Sequence, residues 1–184
     1  MDEYSDRELI ERFRSLGSNN KHYAFNLLVR KYQQKLYYHI RRIVVDHDDT
    51  NDLLQNTFIK VWNHLDGFRE DSQLYTWLYR VATNECLGFL KQKRKRFFLP
   101  IGDVEGELSD KLVQNEVLNA DKLELKLQQA ILSLPEKQRI VFNLRYYDEM
   151  KYEEMSVVLG TSVGALKASY HHAAAKVEKF ILGN

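Results

Sequence analysis

Hydrophobic residues recur with a helical period along most of the chain, and a clear example lies within residues 68–96. A helix that begins near Leu74 places nine positions on one face, and eight of them are apolar, with Glu85 the exception. A polar stripe follows beside this face, through Thr76, Arg80, Asn84 and Lys91. Five cations then fall within six residues at the end of the stretch. The pattern predicts a long amphipathic helix with one face in a core.

Three patterns of the same period precede this helix and predict helices over residues 7–16, 23–45 and 50–65. Asp6 is the expected cap of the first helix, and residues 46–49 separate the second from the third. The outer face of the third helix carries polar residues that suit a protein partner or simply solvent: Asp52, Gln55, Asn56 and Lys60. With short loops between them, the four helices are expected to form an antiparallel bundle.

A second set of helical patterns begins near residue 121 and predicts further helices over 135–147, over 152–159 and from 163 onward. Its first helix is expected to bury one apolar face, made of Leu123, Leu127, Ala130, Ile131 and Leu134. Pro135 suits the first turn of the next helix, Gly160 a left-handed turn and Ser162 a helix cap. A helix, a glycine-containing turn and a longer helix are typical of the helix-turn-helix, although helical hairpins in bundles share the pattern.

Composition agrees with an all-α protein. The 184 residues include only 2 prolines and 8 glycines, and no sustained alternating pattern indicates strands. The single cysteine, Cys86, cannot build a disulfide framework or a metal site. We find no apolar run of membrane-spanning length and no signal peptide in the acidic start, and therefore expect no membrane insertion and a cytoplasmic location.

Charge divides the chain into unlike segments although the net charge is only +1. Residues 21–99 carry 14 basic and 8 acidic groups, whereas residues 100–124 carry 2 basic and 7 acidic groups. The acidic segment has little helical period and contains Pro100. We therefore predict two small helical domains, residues 1–97 and 123–184, joined by an acidic linker over 98–122 that holds a transient helix around 111–118. A basic domain suits a polyanionic partner, but charge alone discriminates poorly.

Three stretches together resemble the extracytoplasmic-function (group IV) sigma factors of bacterial RNA polymerase. DDTNDLLQNTFIKVW is similar to family region 2.2, and YTWLYRVATNECLGFLKQKRKR to regions 2.3 and 2.4. The third stretch, from LPEKQRIVFNLRYYDEM through LGTSVGALKASYHH, is similar to region four. Each motif alone is suggestive, whereas the three in this order and spacing are specific.

The resemblance implies that the first domain docks on the clamp helices of the polymerase through Asp52, Gln55, Asn56 and Lys60. The family usually has Glu at the position of Asn56, so a docking charge is missing here. Opening a promoter requires extruding bases, and aromatic stacking offsets that cost by about 1–3 kcal/mol per base. The resemblance implies capture of the non-template minus-ten strand by region 2.3–2.4, for which the expected residues are Phe68, Arg69, Ser72, Tyr75, Arg80, Asn84, Lys91 and Arg94.

Within that set, each residue type has an expected task. Phe68, Ser72 and Tyr75 would form a base pocket, and Asn84 would read the base edge because its amide both donates and accepts. Arg80, Lys91 and Arg94 would hold phosphates. Trp77 is assigned mainly to the core.

The second domain is expected to read the minus-thirty-five element and to touch the polymerase flap. The recognition helix would use Ser162, Val163, Gly164, Lys167, Ala168, His171 and His172. Relatives often carry several arginines at these positions. Contacts with phosphates are therefore expected to contribute less to the DNA affinity of this helix, and contacts with bases and tethering by the polymerase to contribute more. The two histidines are equally consistent with surface residues of no special role.

The resemblance implies a promoter-specificity subunit with no chemistry of its own, and no cofactor or metal is expected. The expected partners are core RNA polymerase, promoter DNA as duplex and as single strand, and an anti-sigma factor. The acidic linker is either a solvated tether or a nucleic-acid mimic inside the polymerase channels. One rival function is a stand-alone helix-turn-helix regulator, which leaves the region-two patterns without purpose. The other is a helical enzyme or phosphotransfer protein using His171 or His172.

Overall fold

The computed structural model describes residues 4–15, 18–97 and 122–183, and these residues form eight α-helices and no strands. The first group consists of α1 (Asp6–Arg14), α2 (Ser18–Val44), α3 (His47–His64), a 3-10 turn (Leu65–Gly67) and α4 (Leu74–Phe97). The second consists of α5 (Lys122–Leu132), α6 (Glu136–Tyr146), α7 (Tyr152–Leu159) and α8 (Val163–Leu182). The prediction of an all-α protein with two helical domains is confirmed. The linker predictions lie outside the described residues.

The starts of α1 and α3 differ from the prediction because each helix is capped by a residue other than the one expected or has a cap that was not expected. Ser5, not Asp6, caps α1, because Glu8 completes a reciprocal capping box with it. Asp6 instead accepts a hydrogen bond of 2.6 Å from the Tyr32 hydroxyl. Likewise, Asp46 caps α3 by accepting from the backbone amides of Asp48 and Asp49, so this helix begins three residues earlier than predicted.

In the second domain the turn residues behave largely as expected. Gly160 ends α7 in the left-handed conformation, with φ of 62°, and Ser162 caps α8. Pro135 is the N-cap of α6 and not part of its first turn. Leu123 was expected to face inward but is 60% exposed, so the buried face of α5 begins further along, with Ala130, Ile131 and Leu132.

Each domain buries an apolar face, and the two faces meet. The core of the first domain contains side chains that are almost fully buried, among them Leu28, Leu36, Ile40, Val61, Leu65 and Leu78. The same cluster continues into Leu144, Met155 and Leu166 of the second domain. Helix α4 packs against α7, and α2 packs against α6. The domains are therefore in contact along two helix pairs.

Cys86 provides a test of this packing, since it is the only cysteine of the chain and is fully buried in α4. Burial raises the pKa of its thiol well above the usual range, so little reactive thiolate forms near neutral pH. We expect alkylation at pH 8 to be at least about a hundredfold slower in native buffer than in denaturant, because the thiol reacts only when the bundle opens. Stoichiometric labelling at the unfolded rate in native buffer would contradict the assigned core.

Candidate nucleic-acid and polymerase interfaces

Helix α4 presents three different surfaces. Its main core face includes Leu74, Leu78, Ala82, Cys86 and Leu90. A second face is also buried, because Thr76, Tyr79 and Thr83 lie at 3% exposure or less. The prediction that Thr76 belongs to the polar stripe is therefore wrong, because this side chain is buried. The remaining stripe consists of exposed residues four or seven positions apart: Arg80, Asn84 and Lys91.

Glu85, the one polar residue in the predicted core face, has a specific partner. Its carboxylate accepts a hydrogen bond from the Lys60 ammonium of α3, next to the bundle surface. The ion pair lets a charged residue stand at the edge of the apolar face and links α4 to α3. It also means that Lys60 contributes to an internal contact as well as to the outer face of α3.

The loop before α4 is folded inward. Arg14 of α1 donates to the Phe68 carbonyl and pairs with Glu70 at 2.7 Å. Glu70 itself has a left-handed backbone, with φ of 61°, which is uncommon for a residue with a side chain. This turn directs Phe68 into the core, where it is 7% exposed and its ring lies 5.1 Å from that of Trp77.

The burial of Phe68 changes the expected base pocket. Its ring supports the loop from beneath and offers no open face to a base in this conformation. Trp77 packs against the same core cluster, as its assignment to the core expected. Arg69 is exposed, and Ser72 and Tyr75 are half-buried beside it in sequence. Of the three residues predicted to form the pocket, Phe68 is therefore covered, whereas Ser72 and Tyr75 keep part of their surface accessible.

Two of the predicted strand-binding residues already have partners in the second domain. The Tyr75 hydroxyl donates to a Glu154 carboxylate oxygen at 2.6 Å. The Arg94 guanidinium donates to Glu136 at 2.7 Å. Arg80, Asn84 and Lys91, in contrast, lie on the exposed stripe. The structure thus divides the predicted set into an open part and a part covered by α6 and α7.

The outer face of α3 is a mixed polar and apolar surface. Asp52, Gln55 and Asn56 are exposed, as predicted. One turn beyond Gln55, Ile59 is 52% exposed. It borders an open depression of about 340 Å³ whose other lining residues are Phe25, Gln55, Phe58 and Trp62. Sequence reasoning missed Ile59, although its place four residues after Gln55 put it on the same helix face.

The outer face of α8 starts at its cap. The Ser162 hydroxyl accepts from the Ala165 amide at 3.4 Å, and a Cβ added at Gly164 would meet nothing within 4 Å. Four of the predicted groove-facing residues are exposed on one side of this helix: Lys167, Ala168, His171 and His172. Val163 is half-buried and anchors the first turn. The Lys167 ammonium lies 5.7 Å from the centre of the Tyr152 ring, which fixes one cation near the start of α7.

The described residues contain no cluster of three or more His, Cys, Asp or Glu side chains that could hold a metal ion. Nor does any helix in the described part of the chain have the length and apolar character needed to span a membrane.

Two family models match the chain, Sigma-70 region 2 over residues 28–96 and Sigma-70 region 4 over residues 124–177. The RNA polymerase sigma-H factor of Pseudomonas aeruginosa is 33% identical over 184 residues, covering 95% of this chain and 92% of that protein. The ECF RNA polymerase sigma-E factor of Escherichia coli K12 is also 33% identical, over 96% of this chain and 94% of that protein.

Solved structures show the same architecture. CnrH, solved in complex with the cytosolic domain of CnrY, matches with a TM-score of 0.70 and 25% identity, covering 97% of this chain and 98% of that chain. The sigma factor RpoE of Bartonella quintana, in complex with the anti-sigma factor NepR, has the same fold, with a TM-score of 0.63 at 20% identity over 85% of this chain and 96% of that chain. The two family models and the nearly full-length relatives show that the chain belongs to the extracytoplasmic-function sigma factors, the promoter-specificity subunits of RNA polymerase.

Proposed function

We propose that this sigma factor binds polymerase and promoter DNA through three surfaces, each on a different helix. The outer face of α3 docks on core RNA polymerase, the exposed stripe of α4 captures the non-template strand of the minus-ten element, and the outer face of α8 reads the minus-thirty-five element. In this proposal residues 1–97 and 123–184 are the two functional units. The observation that carries the proposal is the exposed Arg80–Asn84–Lys91 stripe, which lies beside buried faces on the same helix.

The stripe has the chemistry that a separated strand requires. Arg80 and Lys91 supply positive charge for phosphates, and Asn84 supplies one amide donor and one acceptor for a base edge. Lys95, which is exposed four residues after Lys91, extends the positive charge of the stripe by one turn. Tyr75 adds an aromatic ring at the start of the helix, where a base can stack once the ring is uncovered.

Docking on the polymerase would use both polar and apolar contacts. Asp52, Gln55 and Asn56 can hydrogen-bond across the interface, and Ile59 can insert as an apolar anchor beside the 340 Å³ depression. With Asn56 in place of the family's usual Glu, apolar contact carries more of the affinity in this chain. The acidic linker is proposed to follow the polymerase channels as a nucleic-acid mimic. The pattern of abortive products should then change when four of its acidic residues are neutralised, namely Asp103, Glu105, Glu107 and Asp110.

The complexes in which two similar proteins were solved suggest a further partner for this chain. CnrH and the Bartonella RpoE were each solved with a second protein, which for RpoE is an anti-sigma factor. We propose that an anti-sigma factor also controls this chain and that both act in the bacterial cytoplasm, where RNA polymerase transcribes. A stand-alone helix-turn-helix regulator is not favoured, because the sigma region 2 match covers residues 28–96 outside the helix-turn-helix.

A transcription assay reconstituted with core polymerase tests the role given to α8. We expect Lys167→Ala to lower initiation about tenfold from promoters with a minus-thirty-five element, because it removes a cation at the DNA-facing end of the helix. Lys179→Ala, near the other end of α8, removes the same charge and should leave initiation unchanged. Equal activity of the Lys167 variant and the wild type would contradict the assignment of this face to DNA.

A further inference from the structure

An open cleft of about 530 Å³ lies where the two domains meet. One wall is the end of α2, within residues 37–45, a second is α5, within residues 124–132, and the floor includes Asn143 and Tyr147. Pockets of this volume hold small organic ligands in other proteins. None of the described residues that line the cleft belongs to the surfaces proposed for polymerase or DNA. The proposed function therefore leaves the cleft without a role.

The α2 wall of the cleft carries one arginine that is already paired and one that is not. The Arg42 guanidinium donates to Asp148 at 3.1 Å and lies 4.3 Å from the centre of the Tyr147 ring. The half-buried Arg41 side chain makes no hydrogen bond or ion pair within the described part of the chain. Glu124, on the α5 wall, does not pair with it. Arg41 is thus a cation that is available to an anionic group of a ligand.

The same wall supplies an uncovered aromatic ring. Tyr38 is 50% exposed, and its ring meets that of Tyr37 edge to face, with the centroids 5.5 Å apart. The Tyr37 hydroxyl lies 2.8 Å from Nδ1 of His47, the first residue of α3, which holds Tyr37 in place. Because Tyr37 contacts Tyr38 edge to face, much of the Tyr38 ring stays open, and a flat ring of a ligand can stack on it.

The floor of the cleft holds a buried polar group that lacks a partner. Asn143 is 1% exposed, and its amide nitrogen donates to the Arg42 carbonyl at 3.4 Å. Because a carbonyl can only accept, this contact identifies the other amide atom as the oxygen. That Oδ1 has no hydrogen-bond partner in the described part of the chain. An unpaired buried acceptor costs free energy, so a ligand with an N–H donor is favoured at this position.

The backbone at the end of α2 is strained beside the cleft. Val45, a lining residue, has φ of 64°, a left-handed conformation that β-branched residues rarely adopt. Its amide donates to the Arg41 carbonyl at 2.8 Å, and its side chain is 3% exposed. The surrounding structure therefore holds the strained turn in place. Backbone strain of this kind collects at ligand sites.

We propose that the cleft binds a nucleotide with a single negative charge, such as a cyclic nucleotide. The phosphodiester contacts Arg41, the base stacks on Tyr38, and an N–H group on the base edge donates to Oδ1 of Asn143. One charge suits the cleft better than several, because the second arginine is already paired and Glu124 also lines it. The ligand touches α2 of the first domain and α6 of the second, so its binding stabilises the contact between the domains.

Isothermal titration calorimetry of the full chain tests the proposal, with 3′,5′-cyclic AMP as the probe because it carries one negative charge and an amino group on its base. We expect saturable binding with a dissociation constant below about 0.1 mM, and a Tm that rises with ligand concentration. Adenosine lacks the anion and inorganic phosphate lacks the base, so each should bind at least about tenfold more weakly. Absence of saturable cyclic AMP binding, or equal binding of either half, would overturn the proposal.

A pair of arginine variants tests whether the anion lies at the predicted wall. Arg41→Gln should weaken binding of cyclic AMP at least about tenfold, because it removes the charge-assisted contact. Arg30→Gln removes the same charge from an exposed position of α2, about three turns before the cleft, and should bind like the wild type. Circular dichroism establishes that each variant is folded. Equal losses in the two variants, or no loss in Arg41→Gln, would contradict the site.

A variant of the opposite wall predicts a change in the other direction. Glu124 is exposed, so Glu124→Gln should leave the fold intact. The substitution removes a negative charge that repels the ligand, and binding of cyclic AMP should become about two- to fivefold tighter. Glu178→Gln, an exposed position outside the cleft, should have no effect. Weaker binding by the Glu124 variant would mean that the cleft holds a cationic group, and the proposal would be wrong.

Discussion

Replacing Ile59 by aspartate is expected to weaken binding to core RNA polymerase by at least about thirtyfold while leaving the helical fold intact. The side chain is 52% exposed in the free chain and does not belong to the buried core cluster, so the substitution should leave the fold intact. In the complex, the same position would lie in a desolvated interface, where loss of an apolar anchor costs about 2 kcal/mol or more. An aspartate there would also be buried without a partner.

A matched substitution tests whether the effect belongs to the α3 face. Leu123 is an exposed apolar residue of the second domain, at 60% exposure, and Leu123→Asp introduces the same charge away from α3. Affinity is measured by anisotropy of labelled chain titrated with core polymerase. We expect the Leu123 variant to bind like the wild type. If the Ile59 variant and the wild type bound core polymerase with equal affinity, the proposal that α3 docks on the polymerase would be wrong.

Replacing Asn84 by alanine is expected to reduce discrimination between the preferred base and other bases in the minus-ten strand by about tenfold to a hundredfold. The residue is exposed on α4, so the fold should be unaffected. A lost base-specific hydrogen-bond pair costs about 1–3 kcal/mol. Lys91→Ala should act differently, because it removes a proposed phosphate contact. Binding to all sequences should weaken alike, and the slope of log affinity against log salt concentration should fall in magnitude by about 0.7.

The measurement uses complete polymerase bound to promoter fragments that carry 2-aminopurine at successive minus-ten positions. Fluorescence reports which base leaves the stack and how tightly it is held. Gln92→Ala is the control, because Gln92 is an exposed amide of the same helix but lies one position beyond the stripe. Unchanged base discrimination in the Asn84 variant, or an equal loss in the Gln92 variant, would show that the stripe does not read bases.

Locally encoded features could be predicted from the sequence. The bounds of α7, the left-handed Gly160 and the Ser162 cap follow from residues within a few positions of one another. Cap choice at α1 was harder, because Ser5 and Asp6 are both suitable caps. Its outcome depends on Glu8 nearby and on the tertiary bond from Tyr32 to Asp6. The early start of α3 has a different origin, since the cap function of Asp46 was not recognised.

The exposure of part of the candidate site could be predicted as well, whereas the burial of the rest could not. Periodicity places Arg80, Asn84 and Lys91 on one stripe, because only the helix is needed to align them. Contacts such as His39 with Asp148 join residues 109 positions apart, and no local pattern indicates them. Burial of Phe68 likewise depends on a left-handed Glu70 and on Arg14, from two separate elements.

The central claim is that this chain gives core polymerase its choice of promoters, and mapping transcript starts on fragmented bacterial genomic DNA tests it most directly. Core polymerase alone and core polymerase with the chain are compared on the same template. We predict a small set of new start sites, preceded by shared minus-ten and minus-thirty-five sequences at a constant spacing. Start sites that are identical with and without the chain would contradict the account.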